Sequence, residues 1–302
     1  MKALRVVFFG TPHFAAAILD FLIESGVSVA AVVSQPDRPK GRSLQTAPTP
    51  VKEVALAKLP NVPLYQPEKS SNPEFLAKLT ELAADLYVVV AFGQILPQKL
   101  LQIPPLGCIN VHASLLPKYR GAAPIQRAVL NGDLETGVAI QKMVRELDAG
   151  DVIRAEKIAI SDEMTYGELE QALCALSKPL LLSVIHAYEK GIPPAEPQDV
   201  SQVSFAPKVT PEEAEIKWDK EAAFIQNQIR GFNPRPGAWC WVEWNGERKR
   251  LKIFKAKVVK ASKEFSIPCG RDALQLIEVQ MEGKSRCSAA DWLRGARVPP
   301  KF

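Results

Sequence analysis

Only five of the 302 residues are cysteine, at positions 108, 174, 240, 269 and 287, and no two of them form a C-x-x-C pair. Neither a zinc cluster nor a disulfide framework is suggested, no bound metal is expected, and the thiols fit a reducing, cytoplasmic compartment. Long hydrophobic runs are missing too. A bilayer span needs ~20 apolar residues, whereas the stretch from Leu180 to Tyr188 is interrupted by Ser183 and His186. Lys2 and Arg5 precede the apolar Val6-Val7-Phe8-Phe9, but Gly10-Thr11-Pro12 ends that run before it could serve as a signal-peptide core. Neither membrane attachment nor secretion is expected. The turn Gly10-Thr11-Pro12-His13 lacks the G-x-G-x-x-G pattern that brings backbone against a pyrophosphate, and no P-loop motif is present. Nicotinamide, flavin and ATP chemistry lose their usual signatures.

What is present is an ordinary globular composition, 24% charged and 47% apolar, which places the chain far from the disordered class. A length of 302 residues corresponds to two domains at ~150 residues each. Charge is unevenly divided: residues 1–207 carry a net −2 and residues 208–302 a net +7. A basic terminal third attracts polyanions, of which nucleic acid is the commonest in the cytosol. The alternative is a surface that is merely basic and soluble.

The opening reads as strand (Leu4 to Phe9), helix (Phe14 to Ile23, with Pro12 at its first position and Thr11 as cap) and strand (Val27 to Val33). A Pro-rich loop follows from Gln35 to Pro50. Further alternation runs through Pro73 to Ala83, Leu86 to Ala91, Cys108 to Val111, Ala122 to Leu130, Val138 to Met143 and Val152 to Ile158, with a long helix from Thr165 to Tyr188. This predicts an α/β domain over residues 1–190 with a doubly wound, mostly parallel sheet. Five prolines between 191 and 211 mark residues 191–208 as a stiff linker. Short alternating runs at Trp239 to Trp244, Leu251 to Val259 and Leu274 to Val279, with an Asn245-Gly246 turn, predict a small OB-like β-barrel over residues 209–302.

Of the three histidines, His186 sits inside the long helix and His13 in a turn, where neither needs a chemical role. His112 differs. Asn110 and His112 are two apart at the end of an apolar strand, so they face the same way at the carboxyl edge of the sheet, where open α/β sheets bind ligands. They are either a functional pair or a hydrogen-bonded loop anchor. Ser114, Leu115, Leu116 and Pro117 come next, apolar for a loop, and either line a pocket or tuck onto the core. In Leu147-Asp148-Ala149-Gly150-Asp151 either carboxylate could serve turn geometry alone; one that reached His112 would orient the ring. Lys249, Arg250, Lys252, Lys255, Lys257 and Lys260 crowd one strand region, suited to phosphate contacts or to a solvated edge.

Phe9-Gly10-Thr11-Pro12, Ser34-Gln35-Pro36-Asp37-Arg38-Pro39, Asn110-Val111-His112, Ser114-Leu115-Leu116-Pro117, Arg120-Gly121 and Leu147-Asp148-Ala149-Gly150-Asp151 together resemble the methionyl-tRNA formyltransferases, within the 10-formyltetrahydrofolate transformylase superfamily. The likeness extends over nearly the whole chain. It implies a formyltransferase that takes 10-formyltetrahydrofolate as donor and the α-amino group of methionine on initiator tRNA as acceptor; apart from the resemblance, a monomer is expected. The family's catalytic residues fall on Asn110, His112 and Asp148. Its folate-contacting loop falls on Ser114, Leu115, Leu116 and Pro117, with Phe92, Gly93, Gln94, Ile95 and Leu96 as another wall. Its tRNA contacts fall on Arg38, Lys40 and Arg42; Lys249, Arg250 and Lys252 in the basic domain are expected to join them on the strength of their crowding alone. Two rival readings are a formyltransferase acting on a small amine, and a non-catalytic RNA-binding protein that keeps a folate pocket.

Overall fold

Runs of β-branched and aromatic residues stopped by Gly, Pro or Asn set the strands, and the computed structural model describes them over residues 4–40, 45–260 and 266–302. In chain order the first part comprises β1 (Arg5–Gly10), α1 (His13–Glu24), β2 (Ser28–Val33), β3 (Arg38–Lys40), β4 (Gln45–Ala47), α2 (Pro50–Lys58), β5 (Leu64–Tyr65), α3 (Pro73–Glu81), β6 (Leu86–Val90), α4 (Gln98–Leu101), β7 (Cys108–His112), α5 (Pro124–Asn131), β8 (Glu135–Lys142), β9 (Val152–Ala159) and α6 (Tyr166–Lys190). A seven-stranded sheet runs β5-β2-β1-β6-β7-β8-β9. The pairs among β5, β2, β1, β6 and β7 are parallel, and β7 meets β8 antiparallel.

Val6, Val7, Phe8 and Phe9 are fully buried on both sheet faces, which is why β1 reads as a continuous apolar run instead of an alternating one. Phe9 packs its ring against Tyr87 and, edge-on, against Phe92, with centroids 5.4 and 5.5 Å away. The sheet order turns about β1, which has β2 on one side and β6 on the other, so a topological switch point lies at their carboxyl ends.

One expected cap fails. Pro12, not Thr11, occupies the N-cap of α1, and no side chain caps that helix. The Thr11 hydroxyl donates instead to the Phe92 carbonyl at 2.9 Å, tying the loop after β1 to the loop after β6. Helices α2 and α3 are capped by Thr49 and Asn72, each followed by Pro at the first turn.

By contacts the chain divides into two units. The first comprises Met1–Gly121, Gly137–Ile158 and Gln171–Phe205, and the second Ala122–Thr136, Ala159–Glu170 and Ala206–Phe302. Residues 191–205, expected as a linker, thus group with the first unit; Glu196 and Val152 exchange two backbone hydrogen bonds of 2.8 Å there. The second unit adds α7 (Ala222–Gly231), β10 (Ala238–Trp244), β11 (Glu247–Val259), β12 (Ser266–Pro268), β13 (Ala273–Met281), β14 (Cys287–Ser288) and α8 (Ala289–Arg294). Its antiparallel sheet runs β10-β11-β13-β12 with β14 on β13, curled into a half-barrel. Irregular register around Lys255 bends the long β11. Asn245 and Gly246, both at positive φ, close the β10–β11 hairpin as their sequence predicts. Strand β11 pairs with β10 over Glu247–Ile253 and with β13 over Leu251–Val259, so Lys252 sits between two strands while Lys249, Lys255 and Lys257 have a strand partner on one side.

Candidate active site

Strand β7 presents Asn110 and His112 on one face, as their spacing predicts. Its antiparallel neighbour β8 sets Gln141 opposite Asn110 and Ala139 opposite His112. The turn between β8 and β9 then returns Asp148 to the same place. Asp148 has φ +49°, a left-handed conformation that aspartate tolerates better than most residues. Gly150, two residues on, admits no side chain: an added Cβ would lie 1.7 Å from the Lys142 carbonyl oxygen.

The Asp148 carboxylate is the hub. Its Oδ2 accepts the Gly121 backbone N–H at 2.9 Å, and its Oδ1 accepts Gln141 Nε2 at 2.9 Å and Asn110 Nδ2 at 3.4 Å. His112 Nδ1 lies 3.6 Å from Oδ2, with both side chains nearly excluded from solvent. The other ring nitrogen, Nε2, lies 2.9 Å from the Tyr119 carbonyl. A carbonyl only accepts, so Nε2 carries the proton, and Nδ1 is the ring atom left to take or give one. The backbone of Tyr119, not the carboxylate, thus fixes the tautomer, and Asp148 faces the working nitrogen.

The apolar loops follow β6 and β7 at the same carboxyl edge. Leu115, Leu116 and Pro117 are half-buried, Ser114 is fully buried, and its hydroxyl donates to the Lys118 carbonyl at 2.6 Å. Gly137 leaves space for Leu115, whose Cδ2 would lie 2.5 Å from an added Cβ. In the other loop Phe92 and Leu96 are buried in the core and anchor it, Gly93 turns at φ +88°, and Ile95 is 84% exposed. Gln94 is engaged structurally, accepting the Ser70 N–H at 2.7 Å and donating to the Pro67 carbonyl at 3.1 Å. An exposed Ile95 and half-buried leucines, on loops that follow two neighbouring parallel strands, offer apolar surface suited to a flat heteroaromatic ring.

The basic residues separate by face. Leu251 and Ile253 point into the core of the half-barrel, so Arg248, Arg250 and Lys252 share the opposite face and Lys249 does not. Lys249 pairs with Glu247 at 2.5 Å. Arg250 lies over the Trp239 ring at 4.1 Å and Arg248 over the Trp241 ring at 4.8 Å. Such stacking holds guanidinium planes flat with their donor edges outward. Lys252 donates to the Pro236 carbonyl at 2.7 Å. Near the first sheet, Arg38 is paired with Glu68 at 2.5 Å in solvent, Lys40 lies in β3, and Arg42 falls outside the described residues. The sequence reading missed Gln141, Gln198, Arg248, Trp239 and Trp241. The two-residue period counted back from Leu251 is enough to find Arg248; Gln141 and Gln198 carry no local signal.

Residues 4–185 match the family described as formyl transferase, and residues 208–297 its C-terminal domain. A protein of Protochlamydia amoebophila named methionyl-tRNA formyltransferase is 48% identical over 97% of this chain and 96% of its own length. One of the same name from Symbiobacterium thermophilum is 44% identical over 98% and 93%. Among solved structures, the sugar 3N-formyl transferase WlaRD superposes with a TM-score of 0.67 at 18% identity, covering 94% of this chain and all of that one. HypX from Aquifex aeolicus, in complex with tetrahydrofolic acid, superposes at 0.65 and 15% identity over 97% of this chain and 47% of its own. At such identities the two structures speak for the fold alone. Two family matches that together span both ends of the chain, and identities above 40% along its length, lead to one conclusion: the chain belongs to the formyl transferase family.

Proposed function

We infer that this protein transfers the formyl group of 10-formyltetrahydrofolate to the α-amino group of methionine on initiator tRNA. The observation that carries the chemistry is the meeting of Asn110, His112 and Asp148 around one carboxylate. The acceptor is read from the relatives' names and from the net +7 of residues 208–302.

Amine attack on the formyl carbon gives a tetrahedral centre with an oxyanion and a cationic nitrogen; the carbon–N10 bond then breaks and N10 receives the proton that the new amide loses. An α-amino group has a pKa near ~8, so a usable fraction is already unprotonated at neutral pH and no strong base is needed. Asn110 holds Asp148 through one long N–H contact and has a second N–H for the oxyanion. His112 Nδ1 carries the proton between the nitrogens, and the facing carboxylate stabilises the ring's charge in transit. Leu115, Leu116, Pro117, Gly93 and Ile95 supply the folate walls, with the buried Ser114 holding the first loop and Phe92, Gln94 and Leu96 the second. Arg38, Lys40 and Arg42 reach the acceptor end, while Arg250 and Lys252 meet phosphates from a basic domain that begins near residue 209. We place the enzyme in the cytoplasm as a monomer.

Formyl-labelled donor mixed with the protein and either Met-tRNA or free amines, including amino sugars, tests the reading. Label on Met-tRNA alone is expected. Label on a free amine with none on Met-tRNA would replace the acceptor, and no transfer at all would remove the activity.

A further inference from the structure

A third segment joins the two loops that hold the His112 partners. Residues 196–204 lie across both, beginning with the paired backbone bonds between Glu196 and Val152 and ending at Ser204. The Ser204 hydroxyl accepts the Tyr119 N–H at 2.9 Å, and its carbonyl accepts the Arg120 N–H at 2.9 Å. Tyr119 is the residue whose carbonyl fixes the His112 ring. Between those ends sits Gln198. Its Nε2 donates to the carbonyls of Asp148 at 2.8 Å and Gly150 at 2.7 Å. Its Oε1 accepts Nε and Nη2 of Arg120 at 3.0 and 2.8 Å. Arg120 is 5% exposed, and its guanidinium holds Gln198 through Nε and Nη2 while Nη1 lies 3.6 Å from the Glu146 carboxylate.

An amide has one donor end and one acceptor end, and two arginine N–H groups on the oxygen decide which end faces the turn. The amide protons are then directed at the carbonyls at either end of the Asp148-Ala149-Gly150 turn, with Gln141 Oε1 a longer contact at 3.4 Å. That turn holds a non-glycine residue at φ +49°, a conformation that persists where surrounding contacts over-determine it. Gln198 supplies two of those contacts and ties them to the loop from which the Gly121 N–H reaches the carboxylate.

We propose that Gln198 is a positioning residue for formyl transfer: clamped by Arg120, it bridges the 148–150 turn to the 119–121 loop and sets the Asp148 carboxylate against His112. The role rests on the reading of Asn110, His112 and Asp148 given above. It touches no substrate and acts through Asp148, which distinguishes it from a residue that only stabilises the fold.

The test is Gln198→Met in the full-length protein, alone and combined with Asp148→Asn. A misplacement of ~1 Å costs on the order of a hundredfold, so Q198M should lower kcat by tenfold to a hundredfold, as an order-of-magnitude range, with KM for both substrates little changed. In the D148N background Q198M should cost nothing further, since the group it positions is gone. Wild-type kcat in Q198M, or the same fractional loss in both backgrounds, overturns the proposal. If Q198M loses its thermal unfolding transition, Arg120→Lys carries the same test, keeping the charge while loosening the paired grip on Oε1, with the same two outcomes. Full activity in D148N would sink the catalytic reading itself, and this role with it. An inactive D148N beside an undiminished Q198M sinks only the role of Gln198.

Discussion

Replacing Asp148 by asparagine changes one oxygen to an amino group and should damage both stability and rate. Every group around the carboxylate except the imidazole is an N–H donor: Gly121 N on Oδ2, and Gln141 Nε2 and Asn110 Nδ2 on Oδ1. Whichever way the new amide turns, its NH2 faces a donor. If it replaces Oδ2 it opposes the Gly121 N–H; if it replaces Oδ1 it opposes two side-chain amides. At least one donor in a nearly buried site loses its partner, at about 1–3 kcal/mol, and the remaining bond is no longer charge-assisted. Together these predict about 3 kcal/mol of lost stability, read as a lower urea midpoint at unchanged slope. The rate should fall further, because His112 Nδ1 keeps no counter-charge; with the tautomer still held by Tyr119, the loss should lie within the roughly 10²–10⁴ that positioned proton transfer contributes. Single-turnover transfer of labelled formyl to Met-tRNA measures that loss. A D148N protein that unfolds at the wild-type midpoint would show that the four contacts do not act as described, and one that unfolds early yet transfers formyl at full rate would confine Asp148 to a structural role.

Asn110→Ala should fold and bind folate yet transfer formyl 10²–10³ times more slowly, about 3 kcal/mol, as for other oxyanion donors; undiminished kcat would remove that assignment. Gly150→Ala should displace the Asp148 turn, since its Cβ would overlap the Lys142 carbonyl, whereas Gly283→Ala meets no atom within 4 Å and should cost only the ~1 kcal/mol of a strained positive φ; equal activities for the two would contradict the close approach. The Arg127 guanidinium bonded to Glu213 holds that carboxyl below its usual range, against a smaller opposing effect of burial. A lowered carboxyl stabilises the fold above its unfolded pKa and loses that contribution as pH falls through the folded value, so Glu213→Gln should flatten the decline of the urea midpoint below about pH 4.5. The pair is more than a third exposed on the glutamate side, which keeps the effect under about 1 kcal/mol; an acid limb unchanged in slope would remove the linkage. Arg248→Ala with Arg250→Ala should lower the salt slope of tRNA affinity by about two, at ~0.9 per phosphate, and an unchanged slope would take both arginines off the phosphate-binding face.

Much of this was open to reading in one dimension. The fully apolar β1 and β6, the Pro-flanked helices and the Asn245-Gly246 hairpin follow from local preference, because backbone conformation and the need to bury a face are decided within a few residues. The common facing of Asn110 and His112 follows from the two-residue strand period alone. What local preference cannot supply is the partner of a side chain. Thr11 has every local reason to cap α1, but it falls one residue before the N-cap, and its hydroxyl donates to the Phe92 carbonyl, 81 residues away, while accepting the Gln35 N–H at 3.4 Å. Asp148 could have been a turn residue like Asp151; only the resemblance to a family pointed to it, and only the antiparallel pairing of β7 with β8 puts it beside His112. The prolines of residues 191–208 read as a spacer, yet residues 191–205 pack with the first unit because Gln198 and Ser204 satisfy backbone groups left open by two loops. The linear order thus determined which elements form, which way their side chains alternate and where the positive charge collects. Tertiary structure decided which donor meets which acceptor, since that depends on strand pairing and loop closure between segments that carry no trace of one another in their own composition.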